Sequence, residues 1–175
     1  MNILKGKKLK FIGLGSNLPS KIYGSPKSTL KIALKTLESL GIKILRLSSW
    51  YKSSPIPLSD QSWYVNAVAE IKTQLSPHQL VKTLLTIESK FGRQRAERNE
   101  ARVIDLDLLI YDQIIMDNII FEDIEVSVPH PRMNSRRFVL IPLKELEPCW
   151  HDPKSNSPID LLIEKLPINQ KVDLF

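Results

Sequence analysis

Asp105-Leu-Asp107 is the grouping in this sequence with the most direct chemical meaning. On a strand, positions i and i+2 project to one face, so the two carboxylates stand about 6–7 Å apart along the backbone. Like charges side by side on an otherwise apolar strand are costly unless a cation or arginines neutralise them. Hard oxygen ligands with room for waters and phosphates suit Mg2+. A surface pair salt-bridged to Arg102 is the plainer alternative. Arginine is close at hand. Seven of the eight arginines (Arg93, Arg95, Arg98, Arg102, Arg132, Arg136 and Arg137) fall between Lys90 and Lys144, a stretch with no lysine. A planar guanidinium fork grips phosphate or carboxylate where an ammonium cannot. The segregation points to a phosphate-gripping region, with a nucleic-acid surface still open.

Three further groups invite attention. Glu88 lies in the last turn of a helix, where the macrodipole disfavours negative charge; Lys90 and Arg93 compensate locally, so a structural and a ligand-binding role are both open. Tyr64 and Asn66 share the polar face of a strand. A mid-strand Asn must satisfy two donors and an acceptor, which a flat heterocycle with an amide edge or a neighbouring loop would do. Tyr64 would then stack on or touch such a ring. His130 sits between two prolines in extended geometry and alone reads as a packing or turn residue. Nucleotide-binding loops are missing: Gly13-Leu-Gly15-Ser-Asn-Leu18 lacks the third glycine of a dinucleotide fingerprint and reads as the end of a strand. Side chains and metal must therefore hold any phosphate.

The elements that position these residues follow from periodicity. Leu9 to Leu14 reads as a strand, and Ser25-Pro26 opens a helix whose Leu30, Ala33, Leu34, Leu37 and Leu40 recur at helical spacing until Gly41. Ile42 to Tyr51 reads as a second strand, 52–62 as a loop and Trp63 to Lys72 as a third strand, with Val65, Ala67, Ala69 and Ile71 on one face. Ser76-Pro77-His78-Gln79 is a capping box. Its helix presents Leu80, Leu84, Ile87 and Phe91 before Gly92. The segment 93–102 has no period. Val103 to Tyr111 is a strand with Leu106, Leu108 and Ile110 inward, and Asp117-Asn118 marks a turn in a hairpin reaching residue 128. Short helices are expected within 136–147 and near 159–165. The order β-α-β-β-α-β predicts an α+β, ferredoxin-like fold: an antiparallel sheet with two helices on one face, plus a C-terminal hairpin and short helices. The other face is left free to bind.

With 175 residues, the chain fits one domain over 1–175, a core of about 8–147 and a short extension over 148–175. Hydrophobic residues at 42% and charged residues at 25% exclude a disordered or fibrous chain. No apolar run reaches a membrane span, and the basic start precedes too short an apolar stretch for a signal peptide. The lone Cys149 suits a reducing, cytoplasmic setting. The net charge of +6 implies an anionic partner without naming it.

In collinear order over residues 10–147, the motifs Gly13-Leu-Gly-Ser-Asn17-Leu, Ser48-Ser-Trp-Tyr-Lys-Ser-Ser-Pro55, Asp60-Gln61, Tyr64-Val-Asn66-Ala, Ile87-Glu88, Gly92-Arg93-Gln-Arg95, Arg102-Val-Ile-Asp105-Leu-Asp107 and Val128-Pro-His130-Pro-Arg-Met133 resemble the 6-hydroxymethyl-7,8-dihydropterin pyrophosphokinases of folate biosynthesis. The resemblance implies transfer of the β,γ-pyrophosphoryl unit of ATP to a hydroxymethyl-dihydropterin, with release of AMP. It implies two Mg2+ ions on Asp105 and Asp107, and action of Arg93 and Arg102 on the triphosphate. It further implies ATP contacts at Glu88, Arg95, Leu108, His130 and Arg136. Pterin contacts carry over to Ser53, Ser54, Ile56, Tyr64, Asn66 and Phe138, with Tyr64 and Phe138 sandwiching the ring. The chain departs from the family at three places: Asn99-Glu-Ala-Arg102 replaces the frequent Trp-Gly-Pro-Arg, Ser53-Ser54 stands where Thr-Pro is common, and Pro19 to Pro26 is longer. A monomer acting on small molecules, without nucleic acid or membrane, is the expectation, with the 92–102 loop ordering over ATP. Roles for Arg98, Arg132 and Arg137 do not follow. An RNA-binding module on the same fold and a non-catalytic pterin binder are the alternatives; the two aspartates place negative charge where RNA would lie.

Overall fold

The computed structural model describes residues 8–93 and 100–175. It has a mixed α/β architecture around an antiparallel sheet. The strands are β1 (Lys10–Ser16), β2 (Lys43–Leu47), β3 (Tyr51–Ser53), β4 (Tyr64–Lys72), β5 (Asp105–Tyr111), β6 (Met116–Phe121), β7 (Ile124–Val128) and β8 (Val172–Leu174). The helices are α1 (Pro26–Ser39), α2 (Pro77–Lys90), α3 (Arg137–Leu146) and α4 (Ile159–Glu164). The main sheet runs β5-β1-β4-β3-β8, with β2 also on β4; β6 and β7 form a separate hairpin.

Local signals set the helix starts. Ser25 accepts the Ser28 N–H at the start of α1, and Ser76 and Gln79 complete the reciprocal capping box of α2, each with proline in the first turn. The apolar stripes of α1 and α2 close one face of the sheet, burying Leu30, Leu37, Leu80 and Leu84 against Ile12, Ala67 and Leu106. Leu40 falls outside that stripe and is exposed, because the chain leaves the helix there. The longer 19–26 segment is anchored where Tyr23 stacks on Phe91 with ring centroids 4.3 Å apart.

The second face is not open along its length. α3, Trp150 and Ile159 bury Phe11, Val68, Leu109 and Ile110 in a second core. As a result β4 is buried on both faces from Val65 to Ile71 despite its clean alternation. Ile110 belongs to this second core, not the first: the β1–β5 pairing shifts register between Phe11 and Ile12, and the extra residue flips the alternation so that Tyr111 faces α2 instead.

Three other expectations are corrected. The strand expected over 42–51 breaks in two at Ser48, whose hydroxyl accepts the Val68 N–H at 3.0 Å in place of a carbonyl. The hairpin turn is Glu122-Asp123, both at positive φ, as a two-residue type I′ turn requires; Asn118, also at positive φ, sits at a register shift within β6. Residues 172–174, read as tail, add β8 to the edge of β3, pairing Ser53 with Val172.

Candidate functional site

A cavity of about 350 Å³ opens on the uncovered half of the second face. Its floor is made by what is missing. Gly13 and Gly15 lie inside β1, not at its end, and alternate onto this face; Gly15 pairs with Asn66 on one side and Asp105 on the other. A β-carbon at Gly15 would stand 3.4 Å from Asn66 Oδ1 and 3.7 Å from Asp105 Cβ. The bare strand thus separates an amide wall from a carboxylate wall by two strand spacings, about 10 Å.

On the carboxylate wall, β5 presents Asp105 and Asp107 together, as alternation dictates. Asp105 is held by Arg93 at 2.8 Å and Arg102 at 3.0 Å. Burial raises its pKa, Asp107 adds to that, and Arg102, Arg93 and Arg136 oppose it. Asp107 is more loosely met, by Arg136 at 3.4 Å and His130 Nε2 at 3.7 Å. His130 Nδ1 accepts the Arg132 N–H, which leaves Nε2 to carry a proton toward Asp107; burial lowers the imidazole's pKa, against the pull of Asp107. Such a pair of hard oxygen donors, mutually repelling and open to the cavity, fits a divalent cation. Among the described residues no group of three or more His, Cys, Asp or Glu side chains is arranged to hold a metal ion, so water and phosphate oxygens would complete the shell, as Mg2+ prefers.

Glu88 is placed elsewhere. It lies behind β5 and outside the cavity lining, accepts the Leu106 N–H and pairs with Arg93. Burial, with Asp105 and Asp107 nearby, pushes its pKa up to about 7 against the pull of Arg93 and the Leu106 N–H. Its second oxygen is buried without a hydrogen-bond partner. Leu108 is buried in the first core, with its side chain away from the cavity. Arg95 lies outside the described residues, as does part of the 92–102 loop and of the Asn99-Glu-Ala segment.

On the amide wall, Asn66 is 3% exposed and donates to Ser53 Oγ at 2.8 Å. Ser53, Ser54, Ile56 and Tyr64 line the cavity with it, and Phe138 lines it from the first turn of α3. Ser54 Oγ is buried without a hydrogen-bond partner, so a polar ligand edge has a group to meet. Tyr64 donates to the Glu100 carbonyl at 3.2 Å, and the Arg136 guanidinium lies 5.4 Å from the Phe138 ring centre.

The sequence-predicted residues Ser53, Ser54, Ile56, Tyr64, Asn66, Arg102, Asp105, Asp107, Arg136 and Phe138 therefore meet around one cavity. Sequence reasoning missed others. The two glycines were legible as an i, i+2 pair on one strand face. Arg132 also lines the cavity, whereas Arg137 does not. Asn17 joins three segments: its Oδ1 accepts the Arg102 N–H at 2.7 Å, its Nδ2 donates to the Ser62 carbonyl at 3.1 Å, and Arg102 O accepts its own N–H at 3.1 Å.

Known proteins with this sequence pattern are informative. A model of the 7,8-dihydro-6-hydroxymethylpterin-pyrophosphokinase (HPPK) family matches residues 11–148. The chain is 38% identical over 155 residues to a Synechocystis 2-amino-4-hydroxy-6-hydroxymethyldihydropteridine pyrophosphokinase, covering 89% of this chain and 74% of the relative. To the Haemophilus influenzae protein of the same name it is 41% identical over 137 residues, covering 78% and 79%. The crystal structure of wild-type Plasmodium falciparum HPPK-DHPS superposes with a TM-score of 0.70 at 17% identity, over 94% of this chain. That likeness speaks for the fold alone, and this chain spans 42% of the solved one.

Proposed function

We propose that this chain, which belongs to the 7,8-dihydro-6-hydroxymethylpterin-pyrophosphokinase family, performs that family's reaction in the cavity above the glycine floor. The activity is ATP-dependent transfer of a pyrophosphoryl group to hydroxymethyl-dihydropterin in folate biosynthesis. AMP is the other product. The observation that carries the assignment is the opposition of two walls across one bare strand: Asp105 and Asp107 with their arginines on one side, Asn66 and Tyr64 on the other.

Asp105 and Asp107 would hold two Mg2+ ions, which supply neutralisation of phosphate charge when bound. Arg102 and Arg136 already face the cavity and would exchange their aspartate partners for phosphate oxygens, Arg93 joining them from beside Asp105. Arg95, Glu88, His130 and the backbone near Leu108 complete the ATP side of the proposal. Glu88 acts there through Arg93 and the Leu106 N–H, and His130 through Asp107. Asn66 with Ser53, Ser54 and Ile56 would read the pterin edge while Tyr64 and Phe138 flank its ring. The hydroxymethyl group is then presented to the triphosphate, and positioning plus electrostatics carry the rate.

The finer fold reading is ferredoxin-like, supported by strand order β5-β1-β4 followed by β2 and β3, with α1 and α2 on one side. We read residues 1–175 as one domain, monomeric and cytoplasmic, acting on small molecules rather than on nucleic acid or membrane. No helix among the described residues is long and apolar enough to cross a membrane. The test is AMP release from ATP, Mg2+ and 6-hydroxymethyl-7,8-dihydropterin. Asp107→Ala is expected to lower turnover by a factor of about 10³ or more, about 4 kcal/mol of transition-state stabilisation, with an unchanged melting temperature. Near-normal turnover in that variant would overturn the metal assignment, and no AMP from the native chain would overturn the function.

A further inference from the structure

The family match ends at residue 148, yet the chain beyond it returns to the site. Gln170 spans the backbone on either side of Arg136: its Oε1 accepts the Arg137 N–H at 2.9 Å and its Nε2 donates to the Ser135 carbonyl at 3.0 Å. A side-chain amide supplies the acceptor and the donor together. The next residue reaches the opposite wall, where the Lys171 carbonyl accepts the Ser54 N–H at 3.2 Å. From there β8 pairs with β3, and the Phe175 N–H closes the run on the Trp50 carbonyl at 2.9 Å.

Gln170 and Lys171 both meet cavity-lining residues, Ser135 and Ser54. Ser53 to Pro57 form one wall, and Ser135, Arg136, Phe138 and Val139 another. Regular structure stops short in both segments: α3 starts at Arg137 with no side-chain cap, and β3 ends at Ser53. Gln170 takes the place of that missing cap from outside the helix.

We propose that Gln170 is a positioning residue for the pterin, fixing the distance between the Ser53–Pro57 wall and the Phe138 wall through Arg137, Ser135 and Ser54. The inference rests on the pyrophosphokinase reading above. It sharpens that reading by placing a determinant of pterin affinity outside the matched family region. Gln170 also brackets Arg136, but Arg93, Arg102 and the aspartate pair hold the rest of the phosphate grip, so loosening the strap weakens the pterin side more. Gln170→Ala is expected to raise the pterin KM about tenfold while the ATP KM stays within about twofold. Gln170→Glu keeps the acceptor for Arg137 but sets a carboxylate against the Ser135 carbonyl, and is expected to show the same split. Asn169→Ala, an exposed neighbour, should match the native protein.

Steady-state kinetics against both substrates, with melting temperatures and amide hydrogen exchange, decide it. The expected result is the KM split together with faster exchange at Arg137 and Ser54. An unchanged pterin KM in both folded Gln170 variants would overturn the proposal. Equal rises in both KM values, tracking a fall in melting temperature, would also overturn it by showing a purely structural strap. Absence of turnover in the native chain would instead sink the function reading, and the exchange data would still report whether the strap holds the two walls.

Discussion

The two faces of the main sheet solve opposite problems with the same strands. On the face under α1 and α2, every position is filled: Ile12, Leu14, Ala67 and Leu106 meet helix side chains, and the gain is burial. On the other face, beside the first turn of α3, Gly13 and Gly15 leave the central strand bare, and charged or polar groups flank the gap. The first face is given to burial alone, and the second divides between a core under α3 and the cavity. α3, Trp150 and Ile159 mark where the second face changes from one task to the other.

This division can be broken from either side. The largest stability effect should come from the helix face: Leu84→Ala in α2 removes a fully buried side chain and is expected to cost about 2–5 kcal/mol in urea unfolding, leaving substrate KM values unchanged. A change in substrate KM there would blur the separation of tasks. Glu88 sits at the seam. Its folded pKa, about 7, lies above the usual carboxylate value, so its contribution is present below about pH 4.5 and lost as pH rises through 7. Stability should therefore fall between pH 5 and pH 8 by on the order of 2–3 kcal/mol more in the native chain than in Glu88→Gln. Parallel pH profiles for the two proteins would show that Arg93 and the Leu106 N–H fully compensate the buried charge. The smallest effect should come from the floor. Gly15→Ala places a methyl group between the polar Asn66 and Asp105 and is expected to lower kcat/KM about tenfold with little change in stability, whereas Gly13→Ala meets only the apolar Leu109 at van der Waals distance and should stay within about twofold. Equal losses at both glycines would mean that the floor acts by backbone freedom instead of by clearance.

Much of this was legible in the sequence wherever the signal is local. The capping residues Ser25 and Ser76 and the alternation of Asp105 with Asp107 each depend on neighbours within a few positions, and the structure keeps them. What the sequence hid depends on partners far along the chain. Ile110 changes face because of a register shift against Phe11, about a hundred positions away. Asn66 is satisfied by Ser53, and Gly13 and Gly15 form a floor only because β4 and β5 flank them. The turn at Glu122-Asp123 carries no glycine, so turn chemistry pointed instead to Asp117-Asn118. Residues 172–174 have no strand pattern of their own and become β8 because the edge of β3 accepts them.

The bond from Glu88 to the Leu106 amide has a consequence for folding fidelity. A one-residue slip of β5 would turn Leu106 and Leu108 toward the cavity and bury Asp105 and Asp107 under the helices. The residue between the two aspartates is the one the buried carboxylate grasps, and the guanidinium that neutralises Glu88 also holds Asp105. A slipped strand would forfeit the Leu106 bond and draw Asp105 away from Arg93 and Arg102, leaving both aspartates in an apolar interior. Correct register of β5 is in this way checked by charge.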